Sequence, residues 1–341
     1  MPKTKVVVTD YIENDLDWEI QEFAKMPDVE FSYHQLKLAP REELIATIAD
    51  ADIIVVNMAK FDEEVIAGCK RCKLLIRHGI GYDNVDVDAC TRHGIRFSYQ
   101  PDYCASEVSE QAVSLIFSCA RRLDIGRRIL QESSTTGQWD FSTLGDIHRL
   151  FGSTLGIVGC GRIGGRVYRI MKAVGMHLMV CDPYLDDRQK GALGIEETYD
   201  LETVLKTADI VTLHTPLNDE TRYMIDEPQL RRMKPTAYLV NTSRGGVIKT
   251  SALEKALREN WIAGAGIDVY EVEPPPADQE LLSLPNATLS AHLGWCSVEA
   301  GWRIRQNIMD DVKACLRKEP PAYTVNKEID TILDGRVYRE V

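Results

Sequence analysis

Three short stretches in the second half of the chain carry side chains with which a carbonyl can be reduced. NTSRGG (241–246) supplies Arg244, GAGIDVYEVEPPP (264–276) supplies Asp268 and Glu273, and SAHLGW (290–295) supplies His292. A guanidinium can grip a carboxylate through two parallel hydrogen bonds and polarise the carbonyl beside it. An imidazole can give a proton to the carbonyl oxygen as hydride arrives at carbon, and a carboxylate can hold the ring and raise its pKa. Reduction of a 2-oxo acid calls for this set. Singly, each member has a plainer reading: an Arg in a surface ion pair, a Glu at a turn before Pro274, a packed His.

Hydride needs a carrier, and residues 154–182, TLGIVGCGRIGGRVYRIMKAVGMHLMVCD, read as a place for one. Gly159, Gly161 and Gly164 match G-x-G-x-x-G directly after a strand-like run and at the start of a helical one. The first glycine permits a tight turn, the second lets backbone approach a pyrophosphate, and the third lets the helix pack closely on the strand. Amides at the helix N-terminus then face the phosphates. The next strand ends in Asp182, eighteen residues past Gly164, where a carboxylate can bond ribose hydroxyls and repel a 2′-phosphate. NAD is therefore expected rather than NADP, with Arg162 reaching toward phosphate. A structural glycine turn, an exposed Asp and a solvated Arg form the plainer alternative.

Such groups must be held on a frame. KVVVTD, ADIIVVN, KLLIRHG, TLGIVGCG, HLMVCD, DIVTLHTP, AYLVNTS and AGAGIDVY read as strands at helix-length intervals. That alternation predicts parallel sheets built from βαβ units. One series lies before about residue 100 and another after about 150, and 341 residues exceed what one core usually fills, so two domains are expected. Between the series, ASEVSEQAVSLIFSCARRL (105–123) predicts a single connecting helix whose terminal arginines complement its dipole, followed by the loop-rich SSTTGQWDFSTLGDIHRLFG. A last helical run, SVEAGWRIRQNIMDDVKACLRKE, precedes Pro320 and Pro321 and suggests a return to the first domain.

Composition narrows the classes. A net charge of −12 argues against broad attraction to nucleic acid or anionic membrane. No apolar run approaches the ~20 residues of a membrane span, and the acidic start does not read as a signal peptide, so a cytoplasmic location is expected. Nine scattered cysteines read as reduced thiols. Cys69 and Cys72 form a lone CxxC for which a structural reading outweighs zinc or redox use, and no metal is expected.

In order along the chain, RHGIGYDNVDVDAC, EVSEQAVSLIFSCARR, TLGIVGCGRIG, HTPLNDETRYMI, MKPTAYLVNTSRGGVI, AGAGIDVYEVEPPP and TLSAHLGW resemble the motifs of the D-isomer-specific 2-hydroxyacid dehydrogenase family. The resemblance spans nearly the whole length. It implies two Rossmann-like α/β domains with parallel sheets and a cleft between them: a flavodoxin-like substrate domain from residues 1–102 and 299–341, and an NAD-binding domain from 103–298. It carries the family's catalytic Arg, Glu and His onto Arg244, Glu273 and His292. It places Asp268 near the nicotinamide carboxamide and extends the cofactor contacts to Ile163, Thr215, Pro216, Thr242 and His292. In GIGY, the amides of Ile80 and Gly81 match those that help hold a substrate carboxylate. The implied activity is NAD-dependent hydride transfer between nicotinamide and a small D-2-hydroxy or 2-oxo acid, in a homodimer.

Within the family, Arg77 before the GIGY loop and Trp295 after His292 resemble the C-terminal-binding-protein branch, which raises an NAD(H)-gated corepressor-like binding protein as the alternative. Phosphoglycerate dehydrogenases share the arginine, but VVNMAKFDEE lacks their fuller basic and hydroxyl set, and the chain ends too soon for an appended regulatory domain. Arg77, His78 and Lys60 could make one end of the pocket cationic, although His78 and Lys60 facing solvent is the stronger reading. Lys249, where the family often has an acid, and RLFGS before the glycine loop depart from the pattern without touching Arg244, Glu273 or His292.

Overall fold

The computed structural model describes residues 3–340 and divides into two compact units, Met1–Tyr103 with Ser297–Val341, and Cys104–Cys296. The first begins with β1 (Thr4–Val8), α1 (Asp17–Ala24), β2 (Val29–Tyr33), α2 (Arg41–Ile48), β3 (Ile53–Val56), α3 (Glu63–Gly68), β4 (Leu74–Arg77), α4 (Val87–Arg92) and β5 (Arg96–Ser98). The second comprises α5 (Ala105–Ala120), α6 (Leu123–Thr136), β6 (Thr154–Val158), α7 (Gly164–Val174), β7 (His177–Cys181), α8 (Asp187–Leu193), α9 (Leu201–Thr207), β8 (Ile210–Leu213), α10 (Glu227–Leu230), β9 (Tyr238–Asn241), α11 (Thr250–Arg258), β10 (Gly264–Ile267) and β11 (Ala287–Leu289). The chain then returns to the first unit with α12 (Val298–Leu316) and α13 (Ile329–Ile332).

Both sheets are parallel. The first has strand order β2-β1-β3-β4-β5, with Val6 opposite Ile53 and Ile53 opposite Leu74. Runs such as IIVV in β3 are apolar throughout because helices cover both faces. One core packs Ile48, Val65, Ile66 and Ala89 of α2, α3 and α4 on the sheet; the other packs Phe23 of α1 and Met309, Val312 and Cys315 of α12 on its reverse. The second sheet runs β11-β10-β9-β8-β6-β7, again with a core on each face. Its order reverses between β6 and β8, which opens a crevice beyond their carboxyl ends.

The expected connecting helix is in fact two. α5 stops at Ala120 and α6 starts at Leu123, because Arg122 takes a left-handed conformation (φ 49°, ψ 46°). Its guanidinium fixes that turn by donating to the Leu144 carbonyl at 2.9 Å and the Tyr238 hydroxyl at 3.2 Å. α6 also runs on to Thr136, through the start of the stretch expected to be loop. Three strands escaped the sequence reading. β2 is a half-exposed edge strand, and β5 and β11 are only three residues each, too short to show a period.

Loops at the carboxyl edge of the first sheet are tied to one another by buried polar groups. Asp10, 3% exposed, accepts from the backbone amides of Asn57, Met58 and Ala59. Asn84 donates to the carbonyls of Asn57 and Ala59. Glu13, in the loop after β1, accepts from His78 Nε2 at 2.8 Å. Burial pushes this carboxyl up, but the hydrogen bond and charge of His78 outweigh it and bring its pKa down to about 2 from 4.5. A depressed carboxyl stabilises the fold above its unfolded pKa and loses that contribution as pH falls through the folded value. Glu13→Gln is therefore expected to melt below the wild type at pH 5.5, with the gap closing as pH falls from 4.5 toward 2; a thermal-melt series over acid pH checks it.

Candidate active site

Each loop that carries a chemically competent side chain in the second unit leaves the carboxyl end of a parallel strand, where open α/β sheets bind ligands. After β6, Gly159 turns at φ 85°, and a Cβ there would lie 2.9 Å from the backbone of His214. A Cβ on Gly164 would come within 2.1 Å of the Gly159 carbonyl, so close packing of α7 on this turn requires glycine. Gly161 is different: its Cβ would meet nothing within 4 Å. The fold does not need that glycine for space, which leaves a bare backbone surface for a phosphate to approach. Ile163, the residue at the N-cap of α7, contributes no side-chain cap.

Asp182 follows β7 and is half-buried. Its Oδ2 accepts from the Cys160 amide at 2.8 Å and its Oδ1 from the Tyr184 amide at 2.9 Å, which aims the carboxylate alongside the glycine turn. Arg162 is exposed on the same turn. After β8, Thr215 is half-buried and Pro216 exposed. Between them and the glycine turn sits His214, whose Nε2 lies 3.1 Å from Thr212 Oγ1 and whose pKa burial pushes down to about 4. Among the described residues, its buried Nδ1 and the buried Oγ1 of Thr242, just after β9, have no hydrogen-bond partner. An open backbone cradle, a carboxylate held next to it and two orphaned polar atoms on neighbouring strand ends suit a dinucleotide.

Beyond β9 the chain folds around the Asn241 side chain, whose Oδ1 accepts from the Ser243 amide and hydroxyl while Nδ2 donates to the Arg244 carbonyl at 2.8 Å. This turn sets Arg244, half-buried, with Nη1 donating to the Ser243 carbonyl at 3.0 Å. A Cβ on Gly245 would meet Tyr270 backbone at 1.9 Å. The Arg244 loop therefore lies directly on the segment after β10 that carries Glu273. Glu273 Oε1 accepts from the Tyr270 amide at 3.0 Å, and Oε2 accepts from His292 Nδ1 at 2.7 Å. Burial pushes Glu273 up, yet the hydrogen bond and charge of His292, the Tyr270 amide and the Arg244 charge together hold it below the usual carboxylate range. An ionised carboxylate thus fixes the imidazole by Nδ1 and leaves Nε2 for chemistry.

His292 sits in a left-handed turn, φ 54°. Asp268, which the sequence reading put beside the nicotinamide, is 1% exposed and has its carboxylate engaged beneath this turn. Oδ1 accepts from the Leu293 amide and the Ser290 hydroxyl, and Oδ2 from the Gly294 amide. Trp295 is half-buried just beyond. Arg77, Ile80 and Gly81 belong to the other unit. There Arg77 is 5% exposed, donating to Asn57 Oδ1 at 3.1 Å and to the His78 carbonyl, while Ile80 and Gly81 are half-buried and Lys60 is exposed. His78 is paired with Glu13 rather than facing solvent. Sequence reasoning did not single out Asn241, Tyr270, Ser290 or Gln111; only Asn241, an Asn at a strand end before a turn, carries a recognisable local signal.

Residues 113–294 match the family model described as D-isomer specific 2-hydroxyacid dehydrogenase, NAD binding domain. Over 337 residues the chain is 37% identical to a glyoxylate reductase of Pyrococcus furiosus, covering 96% of each. It is 36% identical to the D-3-phosphoglycerate dehydrogenase of Methanocaldococcus jannaschii, covering 94% of this chain but 59% of that enzyme. Among solved structures, the D-lactate dehydrogenase of Aquifex aeolicus complexed with NAD and lactic acid superposes with a TM-score of 0.82 at 27% identity, over 94% of this chain and 98% of that one.

The two glycines differ in what the fold asks of them. Gly161→Val is expected to keep the wild-type melting temperature while losing NADH affinity, and Gly164→Val to lose the fold. Thermal melts together with NADH fluorescence titration distinguish the two.

Proposed function

The chain belongs to the D-isomer-specific 2-hydroxyacid dehydrogenase family, and on that premise we propose that it reduces small 2-oxo acids to D-2-hydroxy acids, with glyoxylate the first substrate to test. The observation that carries this reading is the 2.7 Å contact between His292 Nδ1 and Glu273 Oε2, with Arg244 charge beside it, on the sheet edge that bears the glycine cradle. Reduced NAD, when bound, would supply the hydride. Gly159, Gly161, Arg162, Ile163 and Gly164 would hold its diphosphate, Asp182 its ribose, and Thr215, Pro216 and Thr242 would line its path. Arg244 grips the substrate carboxylate and polarises the adjacent carbonyl. His292 delivers a proton from Nε2 to the carbonyl oxygen, and Glu273 keeps the ring oriented through Nδ1.

Trp295 forms wall. In the first unit, Arg77 supports the loop of Ile80 and Gly81 from within. Preference for glyoxylate draws on the names of the relatives, which include several archaeal glyoxylate reductases. Nine cysteines, all free thiols, suit a reducing cytoplasm. Among the described residues no helix is long and apolar enough to cross a membrane.

NADH oxidation across glyoxylate, hydroxypyruvate, pyruvate, branched 2-oxo acids and 2-oxo diacids is the direct assay. His292→Asn is expected to lower kcat by roughly 10²–10⁴-fold with NADH affinity retained. Arg244→Ala should instead raise KM by roughly 10- to 100-fold, the loss of charge-assisted hydrogen bonds worth ~1.5–3 kcal/mol. Wild-type turnover in both variants, or no turnover of any 2-oxo acid by the wild type together with capture of an NADH-dependent protein partner, overturns the assignment.

We further propose a homodimer. Leu123, Leu130, Trp139, Phe141 and Phe151 are each more than half exposed along α6 and the segment after it, and the Trp139 and Phe141 rings stack on each other at 5.7 Å. So much exposed aromatic and aliphatic surface in one stretch is the mark of an interface, and a two-fold pairing lets each copy cover the other. Trp139→Glu combined with Leu130→Glu is expected to shift the mass seen by light scattering from dimer to monomer; a wild-type monomer at micromolar concentration contradicts the proposal.

A further inference from the structure

Gln111 is a polar residue on the apolar face of α5, among buried Val108, Ala112 and Leu115. An amide in that position is costly unless it is bonded. Gly266 explains how it comes to be there: a Cβ on Gly266 would lie 3.1 Å from Leu115 Cβ and 3.1 Å from Cys119 Sγ, so α5 rests almost on the backbone of β10. Residues four apart share a helix face and residues two apart share a strand face, at nearly equal spacing of about 6 Å. With Leu115 over Gly266, Gln111 falls over Asp268.

There its Nε2 donates to Ser290 Oγ at 2.8 Å and lies 3.3 Å from Asp268 Oδ1. The Ser290 hydroxyl in turn donates to Asp268 Oδ1. Because the Ser290 oxygen accepts from Gln111, its single proton is committed to Asp268 and the hydroxyl cannot rotate away. Asp268 in turn takes the amides of Leu293 and Gly294 on its carboxylate, each at 2.9 Å, and the amide of His292 on its backbone carbonyl at 2.8 Å. Three successive backbone N–H groups are thereby fixed by one residue. A Cβ on Gly294 would come 3.1 Å from Asp268 Oδ2, so the turn closes directly on the carboxylate.

The left-handed backbone of His292 is a sparsely populated conformation for a residue other than glycine and persists only where the surroundings over-determine it. Gln111 to Ser290 to Asp268 is that determination. We propose that Gln111 is a positioning residue for proton transfer, holding His292 in register with Glu273 through Ser290 and Asp268 without touching substrate. The proposal rests on the reading of His292 as the proton donor. It places the tie at a sensitive point: the chain enters this unit at Cys104 and leaves it at Cys296, and Gln111 joins the helix that follows the entry to the loop that precedes the exit.

The test compares wild type, Gln111→Met and Gln111→Glu. Methionine keeps the length and removes the donor, and is expected to lower kcat by roughly 10- to 100-fold, the scale of a small displacement of a catalytic group, with KM for the 2-oxo acid within about 2-fold because Arg244 is untouched. Glutamate can donate to Ser290 only when protonated, so the ratio of Gln111→Glu kcat to wild-type kcat at the same pH should rise as pH falls from about 9 to about 5.5, while the Gln111→Met ratio stays flat. An unchanged kcat in Gln111→Met, or a loss that merely tracks the folded fraction, overturns the proposal.

A measurement independent of turnover accompanies this one: NMR of protein labelled at histidine nitrogen, with the His292 Nδ1–H signal assigned by its absence in His292→Asn. That proton should exchange with solvent at least about 10-fold faster in Gln111→Met. Equal exchange rates overturn the proposal. If the wild type reduces no 2-oxo acid, the functional reading fails, and the exchange comparison still decides whether Gln111 sets His292.

Discussion

A single buried carboxylate organises the reactive edge of the second unit. Asp268 is 1% exposed, and an ion in that position is tolerable only when hydrogen bonds take up its lone pairs. The donors it recruits are the amides of residues 293 and 294 and the Ser290 hydroxyl, so satisfying the charge and folding the turn are one event. His292 is carried to Glu273 as a result. The pairing of His292 with Glu273 is in this sense an outcome of electrostatic satisfaction at Asp268, whose carbonyl also accepts from the His292 amide.

The rest of the site depends on close backbone approach. Gly159, Gly164 and Gly245 each stand where a Cβ would collide with main chain, and together they bring the strand ends of β6, β8, β9 and β10 close enough for their loops to act on one molecule. Side chains then finish what the glycines allow. Asn241 shapes the Arg244 turn, the Tyr270 amide fixes Glu273, and the paired amides at Asp182 hold its carboxylate near the cradle. The family's reaction needs groups held within tenths of an ångström, and short loops on a rigid parallel sheet deliver that.

How much of this was legible in the sequence depended on whether a signal was local. The three glycines and Asp182 declare themselves by spacing between a strand and a helix, and the alternating apolar runs foretold parallel sheets. Arg244, Glu273 and His292 were readable only as a set, since each alone has a common structural explanation. Gln111 left no trace, because one polar residue in an amphipathic helix is indistinguishable from a boundary position until the strand beneath it is known. The break at Arg122 was equally hidden: its cause is a pair of hydrogen bonds to Leu144 and Tyr238, far along the chain. Asp268 was found by the sequence reading, but its burial and the inward commitment of its carboxylate follow from packing alone.

In the first unit, Arg77 carries a different kind of consequence. A Cβ on Gly79 would lie 2.8 Å from the Arg77 guanidinium, so the loop leading to Ile80 and Gly81 is wrapped around a fixed cation anchored by Asn57 and the His78 carbonyl. Replacing that cation would leave acceptors stranded and the loop without its filling. The arginine offered by the sequence as a pocket cation thus works as scaffolding, and the shape of the loop after β4 is tied to it.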